Sequence, residues 1–87
     1  MLTPTPTAES LKAAPLYEIA RLIPLYWGKV HYTAAPYIAA MECLTTVDDS
    51  YGLDSGRSIV AYALNNMSTF RGPIAKIIKA ELCRRIK

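Results

Sequence analysis

The sequence predicts an all-α domain: a compact bundle of about four helices with short loops, preceded by a mobile N-terminal Thr/Pro leader. Three observations carry this. Apolar residues recur at helical spacing in separate stretches, most clearly from Pro73 to Ile86. Helix-starting residues (Pro, or a small hydroxyl or carboxylate side chain) stand before those stretches. No segment sustains an apolar/polar alternation, and no Asn-Gly or Asp-Gly turn joins two β-branched runs.

The elements follow in order. Residues 1–7 are a leader, because each Pro of Thr3-Pro4-Thr5-Pro6-Thr7 removes a donor and biases its predecessor away from helix. Residues 8–87 form a single helical domain. Ala8 to Ala14 fit a short helical turn capped by Thr7. Pro15 fits a first helical position, followed by Leu16, Ile19, Ala20, Ile23 and Trp27 on one face. Pro24 inside that stretch predicts a kink or a 3₁₀ finish, and Gly28 ends it. Lys29 to Thr33 read as a loop. Pro36 opens the next helix, with Tyr37, Ile38, Met41 and Leu44 inward.

Val47 to Asp54 is a polar turn, with Gly52 available for positive φ. Asp54 or Ser55 caps a helix whose inward set is Ile59, Val60, Ala63 and Leu64. Ile59 to Tyr62 would suit a strand, but the cap and the Ala and Leu neighbours favour helix. Asn65-Asn66 tolerate a left-handed helix ending. Ser68 suits a cap for the last segment, and Gly72-Pro73 marks either a break or its true start. Beyond it Ile74, Ile77, Ile78, Leu82 and Ile86 share one side, with Lys76, Lys79, Arg84 and Lys87 on the other. Glu81 and Arg85 are spaced for an i,i+4 pair at the edge of the apolar stripe.

Composition narrows the class. With 52% hydrophobic and 20% charged residues, the chain is too apolar for disorder. Two cysteines, Cys43 and Cys83, are too few for a disulfide-stapled scaffold. The longest apolar run, Ile59 to Leu64, is far short of the ~20 residues of a membrane span. Without a basic-then-apolar start, the expectation is a soluble, cytoplasmic domain with no membrane partner. Charge is uneven. Residues 1–70 carry four basic and six acidic groups, whereas residues 71–87 carry six basic groups against Glu81 alone. Such a basic end suits either a contact with nucleic acid or acidic protein, or a solvated face opposing the helix C-terminus.

Catalytic patterns are not found. His31 is the single histidine, and neither cysteine has the close Cys/His spacing of a zinc site. Cysteine on a helix reads as a small buried hydrophobe. Asp48, Asp49 and Asp54 fail as a calcium loop, since the twelfth position from Asp48 is Ile59 rather than Glu. No glycine-rich phosphate loop is present. The expectation is no enzyme, no cofactor and no metal. The aromatics carry more. Of six tyrosines, Tyr17, Tyr37 and Tyr62 fit core edges; Tyr26-Trp27 and Tyr51 are candidates for exposed contacts. Phe70 beside Arg71 suits a stacking site or a protein hot spot.

The strings Pro36-Tyr37-Ile38-x-Ala40-Met41, Tyr51-Gly52-x-Asp54, Ile59-Val60-x-Tyr62-x-Leu64-x-Asn66 and Phe70-Arg71-Gly72-x-x-Ala75-x-x-Ile78-Lys79-x-Glu81-Leu82 run from Pro36 to Leu82, within a likeness that covers residues 16–83. Together they resemble a family of small proteins of phages, prophages and conjugative elements. That family usually has Trp where Phe70 stands, and Pro24, Pro73 and the Thr-Pro leader also depart from it. The resemblance implies a mobile-element setting and no catalytic residues. In that setting the expected function is non-enzymatic: a counter-defence inhibitor, of the anti-CRISPR kind, that binds and blocks a host macromolecule in the bacterial cytoplasm. The expected partner is a host protein or nucleoprotein complex, CRISPR effectors included. The expected contact surface is Phe70, Arg71, Lys76, Lys79, Arg84 and Lys87, aided by Tyr51 and Arg57. The alternative is a nucleic-acid-binding accessory or regulator using the same helix on phosphates. It is weakened by the lack of Asn, Gln, Ser and Thr between Gly72 and Lys87. A homodimer packing its aromatics across a two-fold axis is a third reading.

Overall fold

The structure, a computed structural model, describes residues 5–87; the expectation for residues 1–4 of the leader lies outside them. The chain is mostly helical, as the sequence predicts, but with five helices and a two-stranded antiparallel ladder among the described residues. These are α1 (Ala8–Ala13), α2 (Leu16–Tyr26), α3 (Ala35–Met41), β1 (Ser50–Tyr51), β2 (Asp54–Ser55), α4 (Gly56–Asn65) and α5 (Pro73–Ile86).

Local chemistry explains where each helix begins. Thr7 and Ser10 form a reciprocal capping box on α1: the Ser10 N–H donates to Thr7 Oγ1 at 3.1 Å, and the Thr7 N–H to Ser10 Oγ at 2.9 Å. Thr7 is thereby fixed and Pro6 is buried, so the described end of the leader packs on the fold instead of being free. Pro15 caps α2 from one position outside it, and Leu16, Ile19, Ala20 and Ile23 face the core. Pro24 does not stop that helix. It falls in the last turn, where the Trp27 N–H closes the end on the Ile23 carbonyl at 2.8 Å. On α3, Pro36 takes the second position, and Ile38, Ala40 and Met41 are buried.

The polar stretch after α3 forms a hairpin, with Ser50 opposite Ser55 and Tyr51 opposite Asp54. Gly52 supplies the left-handed residue of its two-residue turn at φ 62°. Strands of two residues, both exposed, leave no apolar alternation for sequence reading to detect. Ser55, not Asp54, caps α4 by accepting from the Ser58 N–H at 3.1 Å. Asn66 closes α4 at φ −111°, without the expected left-handed turn. Gly72, at φ 115°, and Pro73 are the true start of α5, and Ser68 does not cap it.

The core joins all five helices. Trp27 lies flat against Phe70, ring centroids 5.2 Å apart, among Leu16, Ile23, Met41, Val60 and Ile78. Helix α4 packs on α3 and α5, while α1 and α2 close over α5. Arg57 at the start of α4 donates to the Arg85 carbonyl at the end of α5, 3.4 Å away, so these two helices run antiparallel. The radius of gyration, 11.9 Å, matches the about 12 Å expected of a compact chain this long. Among the described residues, no helix is long and apolar enough to cross a membrane.

Candidate functional site

The expected contact surface does not come together as one patch. Its cations divide into those already held by a carboxylate and those left free. Glu81 lies in the buried stripe of α5, 6% exposed, and takes both neighbouring arginines. Arg84 Nε reaches Glu81 Oε1 at 3.1 Å, and Arg85 Nε reaches Oε2 at 2.7 Å. Arg85 then extends across to α1, where its Nη2 donates to the Leu11 and Ala14 carbonyls, each at 2.6 Å. Arg84 is therefore drawn onto Glu81. Arg57 faces Asp48 at 3.5 Å, and Lys12 faces Glu9 at 3.8 Å.

Arg71, Lys76 and Lys79 remain unpaired with any acid among the described residues. They rim an open groove at the N-terminal end of α5, floored by Phe70, Pro73 and Ala75. Arg71 Nε donates to the Ser68 carbonyl at 3.3 Å, and Lys79 Nζ stands 5.8 Å from the centre of the Phe70 ring. Gly72 and Pro73 set this geometry, because the left-handed turn followed at once by helix places Arg71 beside Lys76. The groove is a cationic rim around an apolar floor. No carboxylate occurs in the first turn of α5 to offset it.

Other expected contacts are corrected. Phe70 is 1% exposed and Trp27 6%, so neither offers a free ring; each stacks on the other in the core. Their role is packing, and Phe70 reaches the groove only as its floor. Lys87 follows the last turn of α5, about 16 Å along the helix from Lys76. Tyr51 is exposed but sits on the hairpin, at the other end of the molecule from the groove. Tyr62, expected at a core edge with its hydroxyl in solvent, is 47% exposed with its ring 5.4 Å from that of Tyr37. Cys43 and Cys83 are exposed rather than buried. His31 is held by Thr33 Oγ1 at 2.7 Å and stacks on Tyr32. Among the described residues, no group of three or more His, Cys, Asp or Glu is placed to hold a metal ion.

One feature escaped the sequence: Leu53, at the hairpin tip, is fully exposed. The available signal was a leucine directly after a turn glycine, inside an otherwise polar stretch.

Two carboxylates acquire a pH signature. The Thr46 and then the Thr45 amide hydrogen bonds hold the Asp49 carboxyl below its ordinary 3.8. For Glu81, the Arg84 hydrogen bond leads and Arg85 adds to it; together they outweigh burial and hold the carboxyl below its ordinary 4.5. A depressed folded-state pKa contributes stability that is present above the unfolded value and lost as pH falls through the folded one. The urea midpoint is thus expected to be flat above about pH 5 and to fall steadily toward about pH 2. In an Asp49→Asn/Glu81→Gln variant that slope should flatten; an unchanged slope would assign the acid sensitivity to other groups.

Comparison with known protein families, curated proteins and solved structures finds no match to this chain.

Proposed function

We propose that this protein is a non-enzymatic binding module that docks on an acidic protein surface through the groove at the start of α5. The supporting observation is the concentration of unpaired cations, Arg71, Lys76 and Lys79, around the apolar floor of Phe70, Pro73 and Ala75. A protein contact of this form sheds water from exposed Pro73 and the lysine stems, with Phe70 and Ala75 buried beneath them, while the charged groups select the partner. In the mobile-element setting that the sequence resemblance implies, the partner is a host protein or nucleoprotein complex. Binding then acts by occlusion, as a counter-defence inhibitor of the anti-CRISPR kind does. Duplex nucleic acid is the weaker reading. Three phosphate contacts carry a salt slope of only about −2.7, which leaves binding weak at moderate salt.

The experiment is a tagged pull-down from host lysate, with and without nuclease, at low and moderate salt. A stoichiometric protein partner is expected to survive nuclease. Lys76→Glu/Lys79→Glu should weaken its capture by at least about tenfold, while Arg84→Ala leaves it unchanged, because Arg84 is turned onto Glu81. Recovery of nucleic acid alone, reduced as salt is raised, would replace this reading with phosphate binding.

A further inference from the structure

The hairpin and the groove have opposite chemistry and lie at opposite ends of the molecule. Residues 42–55 hold Glu42, Asp48, Asp49 and Asp54 and no Lys or Arg, whereas residues 71–80 hold Arg71, Lys76 and Lys79 and no acid. At the hairpin tip Leu53 is fully exposed and Tyr51 is 46% exposed. Asp54, beside Leu53, has no cation within ion-pair distance among the described residues. The tip is thus an apolar knob with a free carboxylate next to it. The groove offers exposed Pro73 and the lysine stems above buried Phe70 and Ala75, with free cations at its rim.

A knob cannot fill the groove of its own chain. The hairpin runs directly into the start of α4, which meets the end of α5 through Arg57 and the Arg85 carbonyl. The groove lies at the other end of α5, about 21 Å away over the helix's 14 residues. This separation leaves a second copy as the source of a matching knob. A two-fold pairing in which each knob meets the other's groove would close after one partner.

We propose that the protein forms a reciprocal dimer in which the Leu53 knob of each copy enters the Arg71–Lys76–Lys79 groove of the other. Leu53 packs on Pro73 and the lysine stems, and Asp54 meets the lysines. Both contacts are small, so the dimer is weak and salt-sensitive. The inference uses the same groove as the proposed function but requires no host partner, so it stands or falls separately. If both hold, a partner on the groove competes with the second copy.

The test is sedimentation equilibrium of the full chain from about 10 µM to about 1 mM, at low and moderate salt, with amide chemical shifts followed on dilution. A monomer–dimer equilibrium that weakens with salt is expected, with dilution shifts confined to residues 50–54 and 70–79. Leu53→Ser, and separately Lys76→Glu/Lys79→Glu, should weaken it by at least about tenfold. Adding Asp54→Lys to the double lysine variant reverses both charges and should restore association. Leu53, Asp54 and Lys76 are exposed and Lys79 is half-buried over Phe70, so circular dichroism checks that each variant stays folded. A monomer at every concentration would overturn the proposal. So would a dimer indifferent to these substitutions, or a triple variant no better than the double.

Discussion

Arg85→Met is expected to destabilise the fold by about 3 kcal/mol, most of it through loss of the docking of α1. Met keeps much of the aliphatic stem, so the change isolates the guanidinium. That group is mostly buried. It donates to Glu81 at one edge and, at the other, to the Leu11 and Ala14 carbonyls, with Lys12 O at 3.3 Å. These are carbonyls at the C-terminal end of α1, which a six-residue helix leaves without partners inside itself. Only the Leu11 carbonyl has a further partner, the Ala14 N–H at 3.2 Å. Removing the guanidinium leaves the part-buried Ala14 carbonyl without its donor, while the Lys12 carbonyl turns to water. It also leaves Glu81 with Arg84 alone, whose side chain is more than half exposed.

A net loss near 3 kcal/mol should lower the urea midpoint by roughly 2–3 M for a domain with a slope of about 1 kcal/mol/M. Hydrogen exchange separates the local from the global effect: protection around Leu11 should fall further than protection in α4. Lys at position 85 should rescue little, since one ammonium cannot span Glu81 and the α1 carbonyls at once. If Arg85→Met leaves the midpoint within about 0.5 M of the parent, the clamp contributes little and α1 is held by Leu11 alone.

This clamp marks the boundary of what was legible in the sequence. Thr7, Ser55 and Pro73 announce helix starts because capping is decided within three or four residues. The i,i+4 spacing likewise places Glu81 against Arg85. The burial of both is different. Glu81 sits where an apolar residue would continue Ile78 and Leu82, and its reason runs through Arg85 to carbonyls 71 to 74 residues from that arginine. The same limit governs the site. Arg71, Lys76 and Lys79 converge because they are neighbours at one helix start, which spacing reveals. That Arg84 is drawn aside by Glu81, or that Phe70 is covered by Trp27, depends on contacts which charge counting and local aromatic pattern do not contain. The hairpin was missed for a related reason, since its order comes from the Asp49 carboxylate and the Gly56 amide rather than from strand propensity.

Gly56→Ala should reverse the usual sign of a glycine-to-alanine change in a helix, destabilising the protein by about 2 kcal/mol. Alanine is the better helix former by up to about 1 kcal/mol, and fewer unfolded conformations favour it further. Sterics win here because of what surrounds the position. A Cβ at Gly56 would lie 2.9 Å from both the Asp49 and Val47 carbonyl oxygens and 3.0 Å from that of Thr46. These are backbone atoms, so no side chain can swing away. The turn carrying them is pinned from several sides. The Asp49 carboxylate accepts from the Thr45 and Thr46 N–H at 2.9 and 3.0 Å, and the Gly56 N–H donates to the Asp49 carbonyl at 2.7 Å. The Arg57 N–H donates to the Val47 carbonyl at 3.0 Å. Making room for a methyl group must therefore loosen the same bonds that seat the hairpin on α4. Gly28→Ala is the internal control, since nothing lies within 4 Å of its Cβ and its φ is not in the left-handed region. It should be neutral or slightly stabilising, by at most about 1 kcal/mol. Parallel urea titrations of the two variants decide the matter. Equal midpoints would mean that the turn yields to the methyl group and that the hairpin's position is not rigidly set; a lower midpoint for Gly56→Ala alone would show that residues 46–49 are held rigidly against the start of α4.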